Sequence, residues 1–100
     1  MAAINVYANK PAAAGTVLAT TLQQLVPAPE VAYIDYVCDA ASYVVIDNAG
    51  ADGGAITGLA RFMVPANTVY PIPCQNHGCK VFVAAVTGTP NGYFLGVDRG

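Results

Sequence analysis

Charge is what this chain has least of. Asp, Glu, Lys and Arg together make up 10% of its 100 residues, where an ordinary soluble domain carries about 25%. The only cations are Lys10, Arg61, Lys80 and Arg99, and they form no run along the sequence. That excludes the phosphate-neutralising surface on which nucleic-acid binding depends. Tryptophan is absent, His77 is the sole histidine and Ser42 the sole serine. No phosphate-cradling loop, dinucleotide-binding glycine motif, G-x-S-x-G elbow or N-x-[ST] sequon occurs. Long hydrophobic runs are missing too. A spanning helix needs about 20 consecutive apolar residues, and the uncharged stretch Pro11 to Pro29 is broken by Gly, Pro, Thr and Gln. The start, Met1-Ala2-Ala3-Ile4-Asn5, lacks the basic and continuously apolar regions of a signal peptide. We therefore expect a cytoplasmic product with no membrane and no nucleic-acid partner.

What the chain does have is apolar content: 55% of its residues are hydrophobic, and the mean hydropathy is +0.47. Disordered chains are poor in apolar residues and rich in charge, so disorder is excluded. The length suits one domain with a modest core. We take residues 1–100 as a single β domain, with 1–15 as an N-terminal arm. A lone domain of this size exposes much of its surface, and ten charged residues make a thin coat. Other chains are therefore expected to cover part of it, as in a homo-oligomer or multi-copy assembly.

Turn residues recur at short intervals. They cluster at Asn9–Pro11, Pro27–Pro29, Asp39–Ser42, Asn48–Gly54, Pro65–Asn67, Gln75–Gly78 and Gly88–Gly92. Between them lie runs rich in Val, Ile, Tyr and Phe: Ile4–Tyr7, Val31–Cys38, Tyr43–Asp47, Ala55–Val64, Thr68–Ile72, Lys80–Thr87 and Tyr93–Val97. This spacing predicts an all-β antiparallel sandwich or barrel of seven to eight short strands. No interval is long enough for crossover helices, which excludes a parallel α/β sheet. Thr16–Val26 fits either a short helix or a strand, and its β-branched residues favour strand. Thr89-Pro90-Asn91-Gly92 reads as a type I turn joining the last two strands. A second hairpin is expected to join Tyr70–Cys74 to Cys79–Val81. Pro71 and Pro73 cannot donate ladder hydrogen bonds, which puts their strand at a sheet edge.

Several residues invite a chemical reading. Cys38, Cys74, His77 and Cys79 are zinc-ligand types. The loop Cys74-Gln75-Asn76-His77-Gly78-Cys79 departs from the C-x₂₋₄-C spacing of structural zinc sites, and the second ligand pair would be strained. A Cys74–Cys79 disulfide across the hairpin mouth is geometrically allowed, but a reducing cytoplasm disfavours it. The plainest reading is two small apolar residues, with no metal and no cofactor. A Cys–His catalytic pair would need an orienting group and an oxyanion site, and none is visible, so we expect no enzyme. Asp47–Gly54 has alanines where an EF-hand needs ligands, and its Gly, Asp and Asn suit a hairpin loop. Asp35 and Asp39 could be paired as carboxylates, though Asp39 better starts a turn. The six tyrosines serve either as interface anchors or as a stacking platform for a ligand. Interface candidates are Ile4, Val6, Tyr7, Tyr70 and Tyr93, with Ile4–Tyr7 suited to strand pairing with a neighbour.

In general character, and in the strand-and-turn segments Phe62-Met63-Val64-Pro65-Ala66-Asn67 and Asn91-Gly92-Tyr93-Phe94, the chain resembles small structural proteins of tailed-phage virions, of the capsid decoration (cement) type. The resemblance implies many copies bound to the outside of a major capsid lattice and bracing the head, after synthesis in the host cytoplasm. The other readings are a receptor- or carbohydrate-binding β-module using the tyrosines and the Asp47–Gly54 loop, and a minor head or tail component.

Overall fold

A computed structural model of the chain describes residues 3–7, 15–73 and 80–98. Their strands are β1 (Ile4–Val6), β2 (Thr16–Val17), β3 (Gln23–Pro27), β4 (Val31–Cys38), β5 (Ser42–Ile46), β6 (Arg61–Val64), β7 (Tyr70–Pro73), β8 (Val81–Ala85) and β9 (Asn91–Asp98). They form a five-stranded sheet in the order β1-β3-β8-β5-β6 and a four-stranded sheet in the order β2-β9-β4-β7. The β1–β3 pair is parallel, and the other pairings are antiparallel. The fold is thus the expected β-sandwich, open rather than closed into a barrel. Among the described residues no helix is long and apolar enough to cross a membrane.

The period-two rule places the core. In β4, Ile34, Tyr36 and Cys38 are fully buried, while Tyr33, Asp35 and Val37 point the other way. A register shift between Val31 and Tyr33 inserts one extra residue, so Val31 also turns inward, three positions before Ile34. Facing this set from the five-stranded sheet are Leu25, Val44, Val64, Val81, Val83 and Ala85. The rings of Tyr36 and Phe94 stack at 5.0 Å in the middle. Tyr36 Oη and Ser42 Oγ share a 2.6 Å hydrogen bond there, and both residues have no exposed surface.

The chain changes sheet at nearly every connection, and this overturns both expected hairpins. β7 belongs to the four-stranded sheet and β8 to the five-stranded one, so they do not pair. β8 and β9 are likewise in different sheets. Gly88, with φ +68°, helps turn the chain between them, and Pro90 accepts a hydrogen bond from Leu18 N instead of closing a tight turn. Of the consecutive strands, β5 and β6 alone are hydrogen-bonded to each other, across a long loop spanning residues 47–60.

Thr16–Val26 is neither one strand nor a helix. It is β2 and the start of β3, joined by a corner at residues 18–22 that passes between the sheets. Leu18 and Leu22 are fully buried at this corner. The Gln23 side chain ties it, accepting from Ala19 N at 3.0 Å and donating to Val17 O at 3.4 Å. A corner explains why the apolar spacing fitted both periods: the leucines are buried by a change of direction and follow neither pattern. Ala55–Val64 is shorter than expected as a strand, with only Arg61–Val64 in the ladder.

Candidate functional site

The two outer faces of the sandwich are both apolar, but the chain treats them differently. On the five-stranded sheet, β8 is buried at every position because it is central and covered on both sides. Its outward-facing Phe82 packs with Val45 and Leu22 in a second cluster, closed over by Ile56 and Leu59 of the 47–60 loop and by Tyr43. That loop is fastened by its polar residues. Asp47 accepts from Ala49 N and Ala60 N, Asp52 Oδ1 accepts from Gln24 N at 2.8 Å, and Asn48 Oδ1 accepts from Lys80 N at 2.8 Å. Arg61 donates to the carbonyls of Ile56 and Leu59 and lies 5.3 Å from the centre of the Tyr43 ring. Lys80 Nζ donates to Gly50 O. The bonds from Ala49 N and Ala60 N hold the Asp47 carboxyl below its ordinary pKa. The Asp47–Gly54 segment is therefore a packed cover whose carboxylates already serve backbone N–H groups. It does not present them as a set of ligands to solvent.

The outer face of the four-stranded sheet has no such cover among the described residues. β4 contributes Tyr33, Asp35 and Val37, and β9 contributes Tyr93, Leu95 and Val97. The register sets Val37 beside Tyr93, Asp35 beside Leu95 and Tyr33 beside Val97. Pro71 and Pro73 of β7 flank Asp35 and Tyr33, and Val17 of β2 lies beside Asn91. Tyr33 is 38% exposed, Tyr93 40% and Val17 60%. A solvated sandwich face is normally polar at such positions. Here the polar groups of the described strands are Asp35, Asn91 and the two tyrosine hydroxyls. Tyr93 is steadied by Gly15, where a side chain would meet its ring at 2.7 Å.

The other interface candidates fall elsewhere. Val6 is buried in the protein's own core and Ile4 packs against that core, whereas Tyr7 is exposed. The Tyr7 carbonyl lies so close to Gly96 that a Cβ there would come within 2.6 Å, which fixes β1 against β9. Tyr70 makes an edge-to-face contact with Phe62 at 4.9 Å. Tyr93 is thus the one candidate that lies on the outer four-stranded face. β7 is an edge strand, as its prolines predicted.

Catalytic and metal readings gain nothing from the geometry. Cys38 is a buried free thiol in the core. Cys74, His77 and Cys79 lie outside the described residues. Elsewhere, the His, Cys, Asp and Glu side chains of the described residues form no group of three. Asp39 starts a turn and bonds Asn91 N at 3.0 Å, apart from Asp35. The hydrogen-bonded hydroxyls of Tyr36 and Ser42 are sealed from solvent. Burial pushes the Tyr36 hydroxyl well above its ordinary pKa, against the opposing pull of the Ser42 bond. No family model, no curated protein and no solved structure matches this chain.

The exposed face was missed from sequence, yet a signal for it was present. Val31–Cys38 and Tyr93–Val97 are apolar in both phases of the two-residue period, Asp35 apart. A strand that is apolar in both phases lines two surfaces, and only one of them can be the sandwich core.

Proposed function

We propose that the protein is a non-enzymatic structural subunit that works by contact, docking the outer face of its four-stranded sheet onto a larger protein assembly. The assembly we propose is a viral capsid lattice, with this chain as a decoration (cement) protein on its exterior. The observation that carries the reading is the contrast between the two outer faces. One apolar face is closed by a loop fastened with two cations and three polar side chains, and the other has no such cover among the described residues. Binding would bury Tyr33, Val37, Tyr93, Leu95 and Val97, large and mostly rigid side chains of the kind that anchor interfaces. Their burial supplies the driving force, at about 25 cal/mol per Å² of apolar surface. Arg61, Lys80, Asp47 and Asp52 are bonded to the protein's own backbone, which leaves a sparsely charged shell suited to permanent contact.

The test is co-sedimentation of the purified chain with empty shells assembled from a tailed-phage major capsid protein. Binding at a fixed ratio per shell subunit, lost in Val37→Lys and Val97→Lys, supports the proposal. Absence of binding, or binding indifferent to both variants, overturns it. One observation favours a second reading, since Tyr33 and Tyr93 flank a carboxylate, Asp35, on a flat surface. Their registers place them roughly 14 Å apart by strand geometry, a platform on which sugar rings could stack. Glycan binding lost in both Tyr33→Ala and Tyr93→Ala would select it.

A further inference from the structure

We infer that a second copy of this chain pairs with the edge of β6, which no strand covers among the described residues, joining two five-stranded sheets into one continuous sheet about a two-fold axis. This surface is distinct from the outer face of the four-stranded sheet and does not depend on how that face is used.

The inference starts from the hydrogen-bond phase of β5. Asp47 N donates to Lys80 O and Val86 N donates to Ala41 O, so the odd-numbered residues of this segment face β8. The even-numbered Ser42 and Val44 therefore face β6, where their partners are Val64 and Phe62. That leaves the backbone N–H and C=O of Arg61 and Met63 directed away from the sheet, at its edge. Such groups form a template for a further strand.

The other edges fit a partner strand less well. On β7, Ile72 and Tyr70 occupy the positions that can donate to β4, which turns Pro71 and Pro73 outward, and neither has an N–H to offer. β2 has two residues in the ladder and β1 three. β6 has four, with Met63 53% exposed at its centre.

Self-pairing is favoured because one antiparallel register suits this strand particularly well. Setting Arg61 opposite Met63 of the second copy makes both outward residues into hydrogen-bonded pairs, giving four backbone bonds. It also places Phe62 across from its counterpart at the closer, non-hydrogen-bonded spacing. Shifting the register one way would oppose the two Arg61 side chains. Shifting it the other way would oppose Arg61 to Pro65, which lacks a donor. A charged edge residue usually discourages pairing, but the Arg61 guanidinium is folded back onto the carbonyls of Ile56 and Leu59 and onto the Tyr43 ring. Its charge is held over the face of the sheet and does not block the main-chain edge.

The experiment is sedimentation equilibrium of the full chain, comparing wild type with Met63→Pro, Met63→Lys and Met63→Glu. Proline at this outward position removes the intermolecular donor without touching a bond to β5. The wild type should reach twice its 10.2 kDa mass, and Met63→Pro should weaken association by about tenfold or more. Lysine would sit opposite Arg61 of the second copy and weaken the dimer, whereas glutamate would strengthen it. The lysine and glutamate variants place a solvated side chain at an exposed site, so they keep the test open should the proline variant fail to fold. A wild type that stays monomeric, a dimer that survives Met63→Pro in folded protein, or equal effects of lysine and glutamate would overturn the inference.

Discussion

Replacing Tyr36 by Phe removes a single oxygen from the centre of the sandwich. The ring, its stack on Phe94 at 5.0 Å and its packing volume stay. What is lost is the 2.6 Å bond to Ser42, whose hydroxyl is fully buried. Every described buried side-chain N or O atom has a partner in the native protein, so the variant creates an orphan. An abandoned buried hydroxyl costs about 1–3 kcal/mol, and Ser42→Ala, which leaves the tyrosine hydroxyl only the weak Cys38 thiol as a partner, should also destabilise the fold. The double variant removes both polar groups together. It should therefore cost clearly less than the two singles combined, with a coupling energy of about 0.5–3 kcal/mol. In a domain of this length each kcal/mol lowers Tm by about 4–8 °C. Urea and thermal unfolding followed by circular dichroism would measure all four corners of the cycle. Single variants within about 0.5 kcal/mol of wild type, or a double variant equal to their sum, would refute the claim that this pair is a closed core bond.

Three further outcomes follow from the same structure. Gly50→Ala puts a methyl 2.7 Å from the Phe82 ring and 3.2 Å from Leu22, so it should destabilise by about 1–3 kcal/mol in chemical denaturation. Asp52→Ala takes the acceptor from Gln24 N; the loop should loosen from the sheet, seen as faster proteolysis within residues 47–60 and about 1–2 kcal/mol lost. The raised pKa of Tyr36 makes stability fall on the alkaline side. Its contribution is complete below the ordinary tyrosine value near pH ~10. Above that pH the unfolded chain ionises while the folded one does not, and stability drops by about 1.4 kcal/mol per pH unit. Tyr36→Phe should lack this share of the alkaline slope in unfolding curves collected across that range.

How far the sequence revealed this arrangement differs from element to element. Val31–Cys38 was legible because it is a run rich in Val, Ile and Tyr bounded by turn residues, and β7 was legible as an edge because proline cannot donate. The hairpins were misread because local turn chemistry says only that a chain turns. The same Gly88–Gly92 residues can reverse a strand within a sheet or carry it across to the other sheet, and long-range burial decides between these. The corner at residues 18–22 was obscured for a related reason, since Leu18 and Leu22 are buried by a change of direction with no fixed period. The 47–60 loop showed its Gly, Asp and Asn residues in the sequence. Its role as a cover did not show, because the contacts of Ile56, Leu59 and Gly50 are with Phe82, Val45 and Leu22, far away along the chain. Of the interface candidates, Tyr93 lies on the outer four-stranded face. Its partners on the face, Tyr33, Val37, Leu95 and Val97, emerged only once the β4–β9 register was known.

The most direct test of the central claim is hydroxyl-radical footprinting of the chain, free and bound to empty capsid shells, with modification read residue by residue. The account predicts strong protection of Tyr33, Tyr93 and Leu95 on binding, with the exposed Val26 of β3, in the other sheet, left as reactive as before. Binding that leaves Tyr33 and Tyr93 fully reactive would contradict it, as would a chain that does not bind at all.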